Sequence, residues 1–300
     1  MTNAGWYDWL IDEAPASPLQ ARLGRLYATA RLFAGNRPAL LGLALVVLLA
    51  LIAAAAPALA PIDPDAQDLA MRLAAPGGGH WLGTDDLGRD ILSRLVYGSR
   101  VTLGVVVLIA AIVPPLGLLI GCVAGYCGGV IDAALMRTAD VFLAFPRLIL
   151  ALALVAALGP GIDHAVLAIA LAAWPPYARL ARAETLALRG REFIAAARLA
   201  GAAHWRLLLR HIAPLCLPSL LVRASLDMAG VILIAAGLGF LGLGVAPPTA
   251  EWGAMIAAGR SHMLDQWWVA AAPGLAIAAA CLGFNLLGEG MRDALDPRQR

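Results

Sequence analysis

Two long apolar runs constrain this chain more than any other feature: "ALLGLALVVLLALIAAAAPALA" over residues 39–60 and "VTLGVVVLIAAIVPPLGLLIG" over residues 101–121. Each reaches the ~20 apolar residues that carry a helix across a bilayer core. Backbone groups in lipid must be satisfied within their own segment, so such runs fold as spanning helices. Only 14% of residues are charged, against roughly 25% in soluble domains. The expected fold is therefore an all-α polytopic membrane protein. The first run starts at Ala39, too far into the chain and too long for a cleaved signal, whose apolar region spans roughly 7–15 residues.

Six spans are expected: Ala39–Leu59, Val101–Gly125, Ala139–Gly159, Ala165–Leu186, Ser219–Leu243 and Val269–Leu287. They divide the chain into an arm (1–38), a polar loop (60–100), a five-helix core (101–290) and a tail (291–300), with a second polar loop (187–217) inside the core. Pro114-Pro115 and Pro175-Pro176 fall within spans, where each proline removes a backbone donor, so kinked helices facing protein are predicted.

Arginine sets the orientation, because the chain contains no lysine. With the amino terminus inside, fifteen arginines fall on inner segments and five on outer ones, with Arg147 and Arg223 near span ends. This asymmetry places both termini in the cytoplasm. A net charge of +2 gives no electrostatic case for nucleic acid as a partner.

The 187–217 loop contains "REFIAAARLAGAAHWRLLLRHIAP", with four arginines, one glutamate and two histidines. At helical spacing Phe193, Ile194, Ala197 and Leu199 share much of one face, and Trp205, Leu208, Leu209 and Ile212 a second. Gly201 separates the halves, where it can end the first helix in a left-handed conformation or admit a second backbone. Such a unit suits either an interfacial helix attracting anionic lipid or a docking element for a cytoplasmic partner.

Catalytic and metal signatures are missing. Without lysine the chain cannot supply a P-loop, and neither G-x-S-x-G nor H-E-x-x-H occurs. The five histidines show no ligand spacing; His204 and His211 suit docking or interfacial roles. Asp85, Asp86 and Asp90 do not follow EF-hand spacing, whereas Gly83 and Gly88 suit turns and Thr84 or an aspartate a helix cap. Cys122, Cys127, Cys216 and Cys281 form no C-x-x-C pair and read as small apolar side chains. No metal, cofactor or catalytic residue is expected.

Polar residues within spans are expensive and carry meaning. Asp227 is either a translocation-path or gate residue or one half of a structural pair, with Arg223 available one turn earlier. Asn285 can hydrogen-bond between helices or line the path, Arg137 and Asp140 can pair at i, i+3, and the glycines of "GLGFLGLG" suit close packing or a hinge.

Five ordered segments carry a resemblance. "AAARLAGAAHWRLLLRHIAP" looks like the ATPase-coupling loop of binding-protein-dependent ABC importers, through Ala196, Ala197, Gly201, Ile212 and Pro214. Ala195 stands where that pattern often has glutamate, and Glu192, one turn earlier, is the available substitute. "HWLGTDDLGRDILSRLVYGSR", "RTADVFLAFPRLIL", "GFLGLGVAPPTAEWGAMI" and "FNLLGEGMRDALDPR" are similar to segments of the dipeptide/oligopeptide/nickel permease subfamily, with Glu289 where aspartate is usual. The arm and extra first span resemble the "C"-type subunit, and "RASLDMAG" and "LDQWW" look most like permeases for D-alanyl-D-alanine-type dipeptides.

The resemblance implies a non-catalytic inner-membrane permease. Its partners would be a second homologous permease, two ABC ATPase subunits that bind ATP and magnesium, an extracytoplasmic substrate-binding protein, and the bilayer. The loop would insert into an ATPase groove, with Leu199 or Trp205 as anchors and Arg206 and Arg210 at the rim. The polar 60–100 loop would cap the outer pore mouth. Dipeptides or short peptides are the first substrate class, with nickel or a metal chelate as the alternative. A proton-coupled secondary transporter using Asp227 is the alternative from a different class.

Overall fold

The computed structural model describes Trp9 and residues 16–295. Arg298 and Arg300 of the arginine count, with most of the first fifteen residues of the arm, lie outside the described residues. No strand occurs among the described residues; two isolated bridges, Gly77 with His80 and Thr84 with Asp90, pin the polar loop.

In chain order the helices are α1 (Pro18–Gly35), α2 (Arg37–Ala54), α3 (Ala56–Leu59), α4 (Ile91–Cys127), α5 (Gly129–Leu143), α6 (Arg147–Leu158), α7 (Ile162–Arg189), α8 (Glu192–Leu199), α9 (His204–Leu207), α10 (Ala213–Phe240), α11 (Trp252–Gly259) and α12 (Trp268–Leu295). The segment Leu208–Ile212 is a π-helical turn between α9 and α10.

At the centre, α4 and α7 run parallel in close contact. Gly117, Gly121 and Gly125, spaced one turn apart, face Tyr177, Ala178 and Arg182; a Cβ on them would lie 2.3 Å from Tyr177 Cβ, 2.3 Å from the Ala178 carbonyl oxygen and 2.8 Å from that of Arg182. Small residues let backbones approach where lipid supplies no hydrophobic drive between helices. Through this register the 187–217 segment emerges at the same end as Cys127, while the 60–90 loop sits at the other end, where Asp90 begins α4. We call these the tip end and the loop end. α12 runs against α2, with Gly290 on Ala39, and Asn36 Nδ2 donates to Asp293 Oδ2 at 3.0 Å. The start of α2 and the end of α12 therefore meet at the tip end.

The chain makes six passes between these ends: α2, α4, α5–α6, α7, α10 and α12. Four helical stretches are long and apolar enough to cross a membrane, Arg37–Ala54, Ile91–Cys127, His204–Phe240 and Trp268–Leu295, and a fifth if α5 and α6 count together. The remaining pass, α7, carries Asp163, His164, Arg179, Arg182, Glu184 and Arg189 and falls below that threshold.

The third expected span, Ala139–Gly159, is not one helix. It breaks by 91° between Leu143 and Arg147, because Pro146 cannot donate to the preceding turn and biases Phe145 toward extended backbone. The proline pairs do not break their helices: both α4 and α7 continue through them. The fifth expected span ran to Leu243, whereas α10 stops at Phe240; Gly239 packs on the carboxylate of Glu251, which caps α11 through the Gly253 and Ala254 amides at 2.8 Å.

Candidate functional site

The tip forms from two short helices and their connection. α8 ends in a Schellman motif: the Ala202 amide donates to the Ala197 carbonyl at 3.1 Å and the Gly201 amide to that of Arg198 at 2.9 Å. Gly201 has φ +79°, the left-handed conformation expected of it, but a Cβ there would meet nothing within 4 Å. Its role is conformational, and no second backbone approaches it among the described residues.

The two expected faces are corrected by burial. Ile194, Leu207 and Ile212 are fully buried, whereas Leu199 is 91% exposed and Trp205 60%. The π-turn shifts the register after α9, so Leu207 rather than Leu208 leads the inward row. Phe193, Leu199, Trp205 and Leu209 are left exposed together with Arg198, Arg206 and Arg210. Glu192, Ala196 and Pro214 are also exposed, and Ala197 is half-buried. The Arg206 guanidinium lies 5.7 Å from the Trp205 ring centroid.

A clasp that the sequence did not reveal fixes the tip to the bundle. Tyr126 Oη and His204 Nδ1 are hydrogen-bonded at 2.7 Å, Arg198 lies 5.3 Å from the Tyr126 ring centroid, and Arg189 Nη1 donates to the Gly125 carbonyl at 2.9 Å. His204 thus has a positioning role, and the tip is tied to the last turn of α4. The only available hint was the placement of Tyr126 and Arg189 at the ends of two apolar runs.

A second cluster lies halfway along the bundle. Arg147, the first residue of α6, donates from Nη1 to Asp227 Oδ1 at 2.6 Å and from Nη2 to Oδ2 at 3.1 Å. Tyr177 Oη donates to the same Oδ2 at 3.2 Å. Asp227 lies 14 residues from the start of α10 and 13 from its end, about 20 Å from either at 1.5 Å per residue. The partner of Asp227 is therefore Arg147, eighty positions away, and not the neighbouring Arg223. Asp140 likewise pairs with Arg179 rather than Arg137, and Asp132 binds Arg182 with Nη2–Oδ2 at 2.6 Å, so α5 is fastened to α7. Asn285 is exposed on α12 and makes no hydrogen bond to the described residues.

The loop end is a self-contained polar network. Asp90 caps α4 by accepting from the Ser93 amide and hydroxyl at 2.7 Å each, and His80 Nδ1 holds its other oxygen at 2.9 Å. Asp85 accepts from Arg89 Nε at 2.7 Å and from the Leu87 and Arg89 amides. Arg94 reaches the Pro64 and Pro248 carbonyls at 3.0 and 3.3 Å. Gly83 and Gly88 adopt the positive φ expected of turn glycines; a Cβ on Gly88 would lie 1.8 Å from the Asp68 carbonyl oxygen. Thr84 does not cap a helix: its hydroxyl bonds the Met71 carbonyl and accepts from the Ala74 amide.

Comparison with known proteins gives this geometry a family. Residues 117–300 match the family described as binding-protein-dependent transport system inner membrane component, and residues 27–76 match the N-terminal transmembrane domain of oligopeptide transport permease C. The chain is 48% identical to the probable D,D-dipeptide transport system permease protein of Escherichia coli K12, covering 85% of each. It is 48% identical to the nickel transport system permease protein of the same organism, over 86% of this chain and 93% of that one. It is 44% identical to a di/tripeptide transport system permease protein of Pseudomonas aeruginosa, over 89% and 90%. The chain belongs to the binding-protein-dependent transport system inner membrane components, as a C-type permease subunit of the peptide and nickel group.

Proposed function

We propose that this permease works with a second permease of its family, two cytoplasmic ATPase subunits and an extracytoplasmic binding protein, importing short peptides across the inner membrane. The tip end faces the cytoplasm, in accord with its arginine excess, and the same rule assigns both termini to the cytoplasm. The exposed Phe193 and Leu199 are the ATPase contact, and Arg206 and Arg210 set its register. Trp205 stands beside them at the mouth of an apolar cleft that it and Leu209 line with Leu118, Leu119 and Cys122 of α4. One observation carries this reading: a projection stiffened by a Schellman turn and clasped to α4 leaves its largest apolar side chains uncovered. ATP hydrolysis belongs to the partners, and this chain binds no cofactor. Membership of the family sets aside the proton-coupled alternative.

Peptides come first because two of the relatives named above carry peptide names. The nickel permease, at the same 48% identity as the dipeptide one, keeps a second cargo in view. Reconstitution of the full complex in proteoliposomes with internal ATP decides both points. Uptake of a dipeptide loaded on the cognate binding protein, dependent on ATP and abolished without the ATPase, is the expected result. A binding protein that captures nickel or a nickel chelate and no peptide would overturn the peptide reading. Cross-links from the tip that never capture an ATPase would overturn the coupling role.

A further inference from the structure

The Arg147–Asp227 pair is costly for mere tethering. Charges at this depth are expensive, and replacing a buried ion pair with apolar side chains of similar volume is often neutral or stabilising. α6 already packs on α10 without it, since Leu148 lies 3.3 Å from where a Cβ on Gly237 would be. Three further features point to a ligand. Arg147 is 27% exposed, and its Nε has no hydrogen-bond partner, leaving a guanidinium donor unused. Asp227 is held from behind by fully buried Tyr177, so it stays oriented if Arg147 leaves. Finally, the pair sits where the chain breaks between α5 and α6, so Arg147 can move with the start of α6 while Asp227 stays on unbroken α10.

We propose that Arg147 and Asp227 form a zwitterion-exchange site on the translocation path. At rest each charge neutralises the other. During transport the peptide carboxylate takes Arg147, the ammonium takes Asp227, and the residue pair re-forms behind the departing substrate. A zwitterion is accepted without any uncompensated charge in a low-dielectric region. A substrate with one blocked terminus leaves one residue unpaired, and a bare divalent cation meets Arg147 as a like charge. The site therefore selects for free amino and carboxyl groups and against free metal ions. This inference rests on the peptide reading given above.

The test uses the whole complex in proteoliposomes with internal ATP, the binding protein at saturation, and radiolabelled alanyl-alanine in the L,L or D,D form that the binding protein captures. The charge-free double variant R147M/D227L should lower uptake by about tenfold or more, with R147M alone at least as poor, and R147K/D227E should restore it to within ~3-fold of wild type. In a complex whose Cys122, Cys127, Cys216 and Cys281 are replaced by alanine, G230C, whose Cβ would lie 3.9 Å from Asp227 Oδ1 and leaves both charges in place, should react with a cationic thiosulfonate, and alanyl-alanine should slow that reaction during turnover. Wild-type uptake by R147M/D227L overturns the site, as does faster labelling during turnover, the mark of a gate that holds no substrate. The labelling arm decides if the double variant fails to assemble. No uptake by the wild-type complex overturns the peptide reading itself, and the site with it.

Discussion

The two ends of this permease treat polarity in opposite ways. At the loop end charged side chains are buried, with Asp85 ion-paired to Arg89 and Arg94 and Asp90 held by His80: Asp85, Arg89, Asp90 and Arg94 are each at most 8% exposed. At the tip end apolar side chains are left uncovered, with Leu199 at 91%. Buried charges survive only when paired and hydrogen-bonded, so this polar network is held within this chain even though Trp81 and Leu264 beside it stay exposed. Exposed large apolar residues on a stiff projection mark a surface that another molecule completes. Substitutions at the loop end should therefore cost folding stability, and those at the tip should cost association.

The largest expected effect is at the loop end. Asp90→Ala removes the α4 cap and leaves the Ser93 amide and hydroxyl and His80 without their acceptor. It should destabilise the purified protein by about 3 kcal/mol, read as a lowered thermal midpoint in detergent. A near-wild-type midpoint would break the contrast. Next is Gly201→Asp, which forces a side chain into left-handed backbone but meets open space. It should cost about 1 kcal/mol, leave the protein in the membrane and uncouple ATP hydrolysis from transport; normal uptake would contradict this. Tyr126→Phe removes one clasp hydrogen bond, worth about 1 kcal/mol or less, and should raise amide exchange across residues 192–207 more than elsewhere. Leu199→Ala is the sharpest discriminator: a stability change within about 0.5 kcal/mol, but ATPase capture weakened by about tenfold in pull-down titration.

Much of this was legible in the sequence, for identifiable reasons. Long apolar runs set the passes, arginine-rich segments marked the tip, and Gly201, Gly83 and Gly88 occupy backbone that favours glycine. What the sequence hid was non-local or fell below the resolution of periodicity. The 91° break lies inside apolar composition that runs on through Phe145 and Pro146, so hydropathy alone saw one span. The partners of Asp227 and Asp140 are far along the chain, and helical spacing favours neighbours such as Arg223 and Arg137. The tip faces were misassigned because α8 is only eight residues long and a π-turn inserts an extra residue before Ala213. The stripe of Gly117, Gly121 and Gly125 was readable at one-turn spacing, but only the structure shows that α7 fills it.

The clasp at Tyr126 matters because of the helix it grips. α4 is one continuous element of 37 residues from Ile91 to Cys127, roughly 55 Å long at 1.5 Å per residue. Its far end is anchored by Asp90 in the polar network, so one unbroken helix joins the residues that hold Arg198 and His204 to the opposite end of the bundle. On the coupling role proposed above, that helix alone would link the two faces of the membrane, with no chain of small relays between them.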